Sequence, residues 1–474
     1  MTFLRSLAAR WYRRAAAAWA RAAAAVRGFE PELWRNVGAE LAGGRWLDRA
    51  IVLAYAAATG LVVVGFTLLA EGASHAYAML RTATSYAPLL MLAWTPLVTA
   101  GVLWWTLRFA PAATGSGIPQ VVRALEDDMN DSEVRALVSL RISLHKIALV
   151  SAGLFAGLSI GREGPTVQVG AGVMGHARRW LSPHAGVDAH DLMVAGAAAG
   201  IAAAFNTPLG GVIFALEQLS RRRGMSHSAL IIASIVLAGL VAVSAFGNET
   251  YFGRLPVQQL HWGLLGPGLL VAVAAGLAGG LFTRLVIVST RGGPDRFSRW
   301  RRAYPLRFAA GCGLAVAIIG LVTDGTTAGA GYEPTRALLE GRAELPGVYT
   351  GLKFCATWIS AWSGVPAGVF APSLTIGAGI GHDVALLAGL GTDAAIPLIA
   401  LGMAGFLAAT TQGPLTAFII VMEMVSGQAM VLSLMACALL ASGIARLVSP
   451  SLYVELAAML GPTPPRPRTP SDLA

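Results

Sequence analysis

Long apolar runs separated by short polar or glycine-rich interruptions make up most of the chain. Four of them, at 50–70, 86–107, 228–247 and 263–288, come close to or exceed the roughly 20 apolar residues that a helix needs to cross a bilayer. They lack the strict alternation of a half-buried strand and the polar face of a helix packed on a soluble core, so they predict helices that are apolar all round. Other apolar stretches are cut by glycine and proline into unequal pieces, and the number of crossings in each half does not follow from the pattern. Irregular backbone at membrane depth is tolerated where it is buried in protein or lines a cavity. The pattern predicts an all-α polytopic membrane protein whose body, 48–456, forms one domain of tilted and broken helices.

The flanks read differently. In the first 47 residues alanines alternate with Arg, Trp and Leu, and Arg10, Arg13, Arg14 and Arg21 interrupt every candidate signal-peptide centre. This predicts an amphipathic helix lying on the cytoplasmic face of the membrane. Residues 457–474 are Pro-rich and polar, and predict a short disordered tail with no soluble domain after it.

Composition narrows the class. Only 13% of the 474 residues are charged, against roughly 25% in a soluble domain, and 55% are hydrophobic. Both a soluble globular enzyme and a disordered chain are excluded. The 35 Lys and Arg against 25 Asp and Glu give a net charge of +10. The basic residues fall in short clusters between apolar segments, with no basic domain to hold nucleic acid. By the positive-inside rule the clusters near the start, at 221–223 and at 291–302 predict cytoplasmic faces, with both termini cytoplasmic. The acidic stretch 323–348 is predicted to face outward. Cys312, Cys355 and Cys437 lie in apolar stretches without metal-ligand spacing, as packing residues do. No HExxH, histidine cluster or GxxxxGK[ST] occurs, so neither metal catalysis nor ATP-driven pumping has support.

The body contains a repeat. GREGPTVQVGAG at 161–172 and GVFAPSLTIGAG at 368–379 share the pattern G-x-x-x-P-x-x-x-x-G-A-G, 207 residues apart. Nineteen residues before each proline stands a lysine, Lys146 and Lys353. Further on, Pro208-Leu209 with Glu217 nine residues later corresponds to Pro414-Leu415 with Glu423 nine later. Two repeated halves, about 48–248 and 260–456, are the mark of transporter-like architectures with a site near the midplane where the halves meet.

Three Gly/Pro-interrupted motifs sit in apolar surroundings: GSGIP at 115–119, GREGP at 161–165 and GVFAP at 368–372. A helix that starts inside the membrane presents unpaired N–H groups and roughly half a positive charge to whatever lies before it. Such starts build an anion site from backbone alone. Ser116 either caps its own helix or donates to that anion. Arg162 and Glu163 either close an ion pair, awkward for neighbours that diverge by about 100° on a helix, or serve a function; an ionised carboxylate at membrane depth is rarely kept without one. Glu217 and Glu423 either mark helix ends at the water boundary or act in the interior, and Tyr453 is by default an interfacial aromatic anchor. No Ser-His pair or Ser-Lys pair beyond a lone Lys146 supports an intramembrane enzyme.

GSGIP, GREGP and GxFAP in this order, with FNTPLGGVIFALE at 205–217 and the late tyrosine, resemble the CLC family of chloride channels and proton-coupled chloride transporters over roughly 50–455. The resemblance implies two inverted-topology repeats, one anion path per protomer, a homodimer in a bacterial inner membrane, and no cofactor, chloride being the transported ion. Carried over residue by residue, Ser116 and Tyr453 look like the hydroxyls that hold a central chloride. The N–H groups of Val369 and Phe370 complete its cradle, Gly161 and Arg162 lie at the outer anion site, and Glu163 looks like the gating glutamate. Two departures stand out. Exchangers of this family commonly carry a second acid where this chain has Gln218, and glutamine carries no proton. Either chloride flows without coupling, or Glu217 and water supply protons to Glu163. Gln120 stands where an acid is common after GSGIP.

Overall fold

In the computed structural model the described residues are 16–17, 45–183, 185–220, 228–247, 252, 262–342 and 346–461, and the apolar runs among them become helices. The first half holds α1 (Arg45–Thr82), α2 (Ala87–Phe109), α3 (Ile118–Ala124), α4 (Asp131–Leu137), α5 (Leu140–Phe155), α6 (Glu163–Gly175), α7 (Ala189–Phe205), α8 (Pro208–Phe214) running into a π-turn at Ala215–Leu219, and α9 (Ser228–Phe246). The second holds α10 (Leu265–Arg291), α11 (Arg296–Ala303), α12 (Pro305–Val322), α13 (Tyr332–Leu339), α14 (Tyr349–Trp362), α15 (Phe370–Leu387), α16 (Thr392–Thr411), α17 (Pro414–Met424), α18 (Val431–Val448) and α19 (Leu452–Ala458). Among the described residues, nine helices are long and apolar enough to cross a membrane, so the protein is a multi-pass membrane protein.

Most of the segment read as an amphipathic N-terminal helix, together with the 221–223 cluster, lies outside the described residues. Of the segment read as a disordered tail, 457–461 are described, and α19 extends through Ala458. The run at 50–70 lengthens into a helix of 38 residues, because Gly60, Gly65 and Gly72 are carried within it without a break.

The repeat seen in sequence is a repeat in space. Lys146 on α5 corresponds to Lys353 on α14, α6 to α15, α7 to α16 and α8 to α17. Lipid gives little hydrophobic drive between helices, so close approach through small residues holds them. A Cβ on Gly170 of α6 would stand 2.1 Å from the carbonyl oxygen of Gly196 on α7; its counterpart on Gly377 of α15 would stand 2.2 Å from that of Gly402 on α16. Backbone touches backbone at both crossings. We expect Gly170→Ala to force these helices apart and lower the thermal midpoint in detergent, a loss of about 1–3 kcal/mol. An unchanged midpoint would show that the crossing relaxes freely.

The two halves meet at their signature turns. Gly161 and Gly368 form an antiparallel bridge, Gly161 N–H donating to Gly368 O at 2.7 Å and Gly368 N–H to Gly161 O at 3.2 Å. They are tied a second time by exchanged carboxylates. Glu217, in the π-turn that follows α8, accepts from the N–H groups of Leu415 (3.0 Å) and Thr416 (2.8 Å) at the start of α17. Glu423, at the end of α17, accepts from Leu209 (3.2 Å) and Gly210 (2.7 Å) at the start of α8. Each glutamate supplies the cap that the other half's helix lacks, with negative charge set against a positive helix end. Glu217 and Glu423 thus act as caps between the halves, a structural role that neither of the two sequence readings names.

Candidate functional site

The three motif turns converge on one place. Gly115 N–H donates to Val365 O at 3.3 Å and Ala367 N–H to Gly115 O at 3.1 Å, which joins the GSGIP turn to the approach to GVFAP. Gly161 joins GREGP to GVFAP through the bridge already described. A Cβ on Gly164 would lie 2.3 Å from Ser116 Oγ, so that hydroxyl rests against the first turn of α6. Gly115 and Gly117 take φ of +65° and +102°, values that a residue without a Cβ adopts at little cost.

The helices at these turns start earlier than their prolines suggest. α6 begins at Glu163 and α15 at Phe370, so Pro165 and Pro372 are third in their helices, where the missing N–H has no intrahelical partner to lose. Arg162 and Val369, the residues before, share one backbone conformation, φ −103° and −104°, and neither caps with its side chain. Both helix starts aim uncapped N–H groups at the junction.

Lys146 fixes the first turn from below. It is fully buried, and its Nζ donates to Ala113 O at 2.8 Å and Gly115 O at 2.7 Å. It therefore forms no Ser-Lys catalytic pair. Lys353 does the same in the second half, donating to Thr327 O at 2.9 Å and Gly329 O at 2.8 Å.

Ser116 does not cap its helix: the N-cap of α3 is Gly117, without a side-chain bond. Its hydroxyl and that of Tyr453 are buried, belong to residues that line the same cavity, and have no hydrogen-bond partner of ordinary geometry among the described residues. Tyr453 is 1% exposed, so the reading of it as an interfacial anchor fails. Val369 lines the same cavity as Ser116 and Tyr453, and the buried Phe370 follows it, its ring 5.3 Å from that of Phe205. Gln120 donates to Thr114 O at 2.6 Å and steadies the same turn.

Glu163 is wholly buried. Its carboxylate folds back over Gly161 and comes within reach of the Ala371 N–H at the start of α15; a Cβ on Gly161 would stand 2.4 Å from Glu163 Oε2. Gly161 contributes the space that the carboxylate fills, because its own N–H is engaged by Gly368. Arg162 does not close on Glu163, whose Oε1 lies 3.9 Å from its Nε; it pairs with Glu71 of α1 at 2.8 Å. Sequence reasoning missed two residues here. Tyr332, first residue of α13, donates its phenol to Glu163 Oε1, and Glu71 holds Arg162.

Two cavities flank this centre. One, about 680 Å³, is lined by Ser116, Gln120 and Tyr453 and by Arg291, Arg301 and Arg302. Asp295 caps α11 through Ser298 N–H at 2.9 Å, and bonds from the Ser298 hydroxyl and amide hold its carboxyl below the usual range; Arg301 is braced on Ser289 O at 2.8 Å. The other, about 490 Å³, is lined by Glu71, His75, Arg162, Tyr332, Glu333 and Arg336. Glu163 lies between the residues that line the two. Gln218 lines neither, and sits beside Glu217 in the π-turn.

Comparison with known proteins follows the same lines. A family model described as voltage gated chloride channel matches residues 97–446. The chain is 30% identical over 346 residues to the H(+)/Cl(-) exchange transporter ClcA of Citrobacter koseri, covering 69% of each chain. It is 29% identical over 350 residues to that of Vibrio cholerae, covering 69% of this chain and 70% of the relative. In fold it is similar to a slow cyanobacterial Cl−/H+ antiporter, with a TM-score of 0.74, 24% identity and coverage of 87% and 97%. It is also similar to a CLC-type fluoride/proton antiporter, with a TM-score of 0.70, 21% identity and coverage of 86% and 97%.

Proposed function

The chain belongs to the voltage gated chloride channel family and transports chloride, and from that premise we propose that its anion path joins the two cavities and is closed between them by Glu163. One observation carries this reading: a fully buried carboxylate at the junction of two facing helix starts, between a cavity rich in arginine and one of mixed charge. Ser116, Tyr453 and the N–H groups of Val369 and Phe370 hold the central chloride. Gly161 leaves room for the gate, and Arg162 raises the positive potential on its outer side. An ionised Glu163 occupies the place of an anion, and protonation removes that competition.

The arginine-rich cavity opens to the cytoplasm by the positive-inside rule, where its field draws anions inward. The protein resides in the inner membrane with both termini on that side. It pairs as a homodimer through the exposed leucines Leu209, Leu216 and Leu415 on α8, its π-turn and α17, helices that pack together. No cofactor takes part.

Proton coupling by the usual inner carboxylate is disfavoured on two counts. Gln218 carries no proton, and both oxygens of Glu217 are engaged by the start of α17. We infer passive, acid-gated chloride flow. In proteoliposomes with simultaneous chloride and pH recording, a chloride gradient should move chloride without uphill protons; an uphill pH change would restore Glu217 and water as the proton route. Titration calorimetry should detect chloride binding. Removing either hydroxyl, in Ser116→Ala or Tyr453→Phe, should weaken it about tenfold or more, as expected for a hydrogen bond to a charged ligand. Wild-type affinity in both variants would remove these hydroxyls from the site.

A further inference from the structure

We propose that Tyr332 is the outer latch of the gate, a positioning residue whose phenol holds Glu163 in the anion cradle and sets how readily acid releases it. The proposal rests on Glu163 being the gate. Its observation is separate: the half-buried Tyr332 at the wall of the mixed-charge cavity donates to Oε1 of a carboxylate that is itself wholly buried. The tyrosine thus links that cavity to the gate by a hydrogen bond.

The latch is held in place from several sides. Its ring lies 5.6 Å beneath the Arg162 guanidinium and 6.0 Å from the Phe252 ring. The turn that delivers it is fixed by Lys353 on Gly329 O, by Thr375 Oγ1 on Ala330 O at 3.0 Å, and by Gly331 at φ +87°. A phenol delivered by so constrained a turn has little freedom to follow a carboxylate that swings away. Moving the gate out of the cradle therefore breaks this bond.

Other groups act on the same carboxylate. Arg162 Nε stands 3.9 Å from Oε1, though Glu71 shares that cation, and Tyr453 on α19 lines the cavity on the other side. His75 on α1, with Glu333 and Arg336 on α13, lines the cavity beyond. Where Arg162 stands off at that distance, Tyr332 donates a hydrogen bond to Oε1. Donation to a carboxylate favours the ionised form, so removing the phenol makes protonation easier.

The test is chloride efflux from proteoliposomes as a function of external pH, with four proteins: wild type, Tyr332→Phe, Glu163→Gln and the double variant. Tyr332→Phe keeps the ring against Arg162 and Phe252. It should move the half-activation point to higher pH by about one unit, a tenfold lower proton concentration, and raise flux at neutral pH. In the double variant the substitution should change nothing beyond Glu163→Gln alone. A Tyr332→Phe profile that overlays wild type, or an effect that persists without the carboxylate, overturns the latch. A Glu163→Gln protein that is still acid-gated overturns the gate itself, which keeps the two failures apart. A monofluorinated tyrosine at position 332, nearly the same size and a stronger donor, should shift the profile the other way; no shift, or one in the same direction as Tyr332→Phe, counts against the latch even if the Phe variant folds poorly.

Discussion

Glu163→Gln should give a chloride path that no longer responds to external acid. On the proposed gate, acid neutralises the Glu163 carboxylate lodged between the helix starts, so wild-type flux should rise as pH falls, by up to about tenfold per unit above the gate's titration point. An amide of nearly the same shape does not titrate, and lacks the charge that competes with chloride for the N–H groups of α6 and α15. The variant should therefore conduct at a level that stays flat from neutral to acidic pH. Glu163→Ala, which also empties the space over Gly161, should do the same. The measurement is chloride efflux from proteoliposomes over a series of external pH values. An acid-dependent rise persisting in both variants would assign gating to another group, and Glu163 would become a structural carboxylate.

Lys146→Met and Lys353→Met should each destabilise the fold by about 2–6 kcal/mol, yet differ in what they do to transport. Each replacement matches the length of the side chain but leaves two carbonyl oxygens turned into a dry interior, at about 1–3 kcal/mol apiece. Lys→Arg should not rescue, since a planar fork does not fit a cradle built for a compact ammonium. Lys146 holds the turn that carries Ser116, so its loss should weaken chloride binding along with stability. Lys353 holds the turn that delivers Tyr332, so its loss should spare chloride affinity and alter the acid response of flux. Thermal midpoints in detergent combined with chloride calorimetry separate the two. Wild-type affinity in Lys146→Met would show that the GSGIP turn stands without its brace.

Much of this was legible in the residues. Apolar runs gave the long helices because a membrane leaves a segment of that length little else to become. The repeat singles out Lys146 and Lys353 by their matched spacing to the two prolines, and in the fold each donates to two carbonyls of an equivalent turn. The caps were harder to see. A glutamate closing an apolar run looks the same whether it meets water or a helix start about 200 residues away, so the exchange between Glu217 and Glu423 had no local signal. Glu71 lies inside a long apolar helix and 91 residues from Arg162, its partner. Tyr332 has only a faint signal in the sequence. GAGY at 329–332 echoes GSGI at 115–118, with matching φ of +62° and +65° at the first glycine, but 214 residues on, out of step with the 207 of the main repeat. A few inserted residues between the motifs hid the correspondence, and with it the tyrosine that reaches the gate.

The exchanged caps also bear on how the chain is made. When the ribosome has released the first half, the amides of Leu209 and Gly210 still await a carboxylate at position 423, and Glu217 has no helix start to sit on. The early segment thus reaches the bilayer with one helix end unfinished and one charge unquenched, and synthesis of the later segment completes both together. Maturation should accordingly be a single late event and not the successive folding common for independent domains. Separately expressed halves should become protease-resistant only after they are brought together in one membrane.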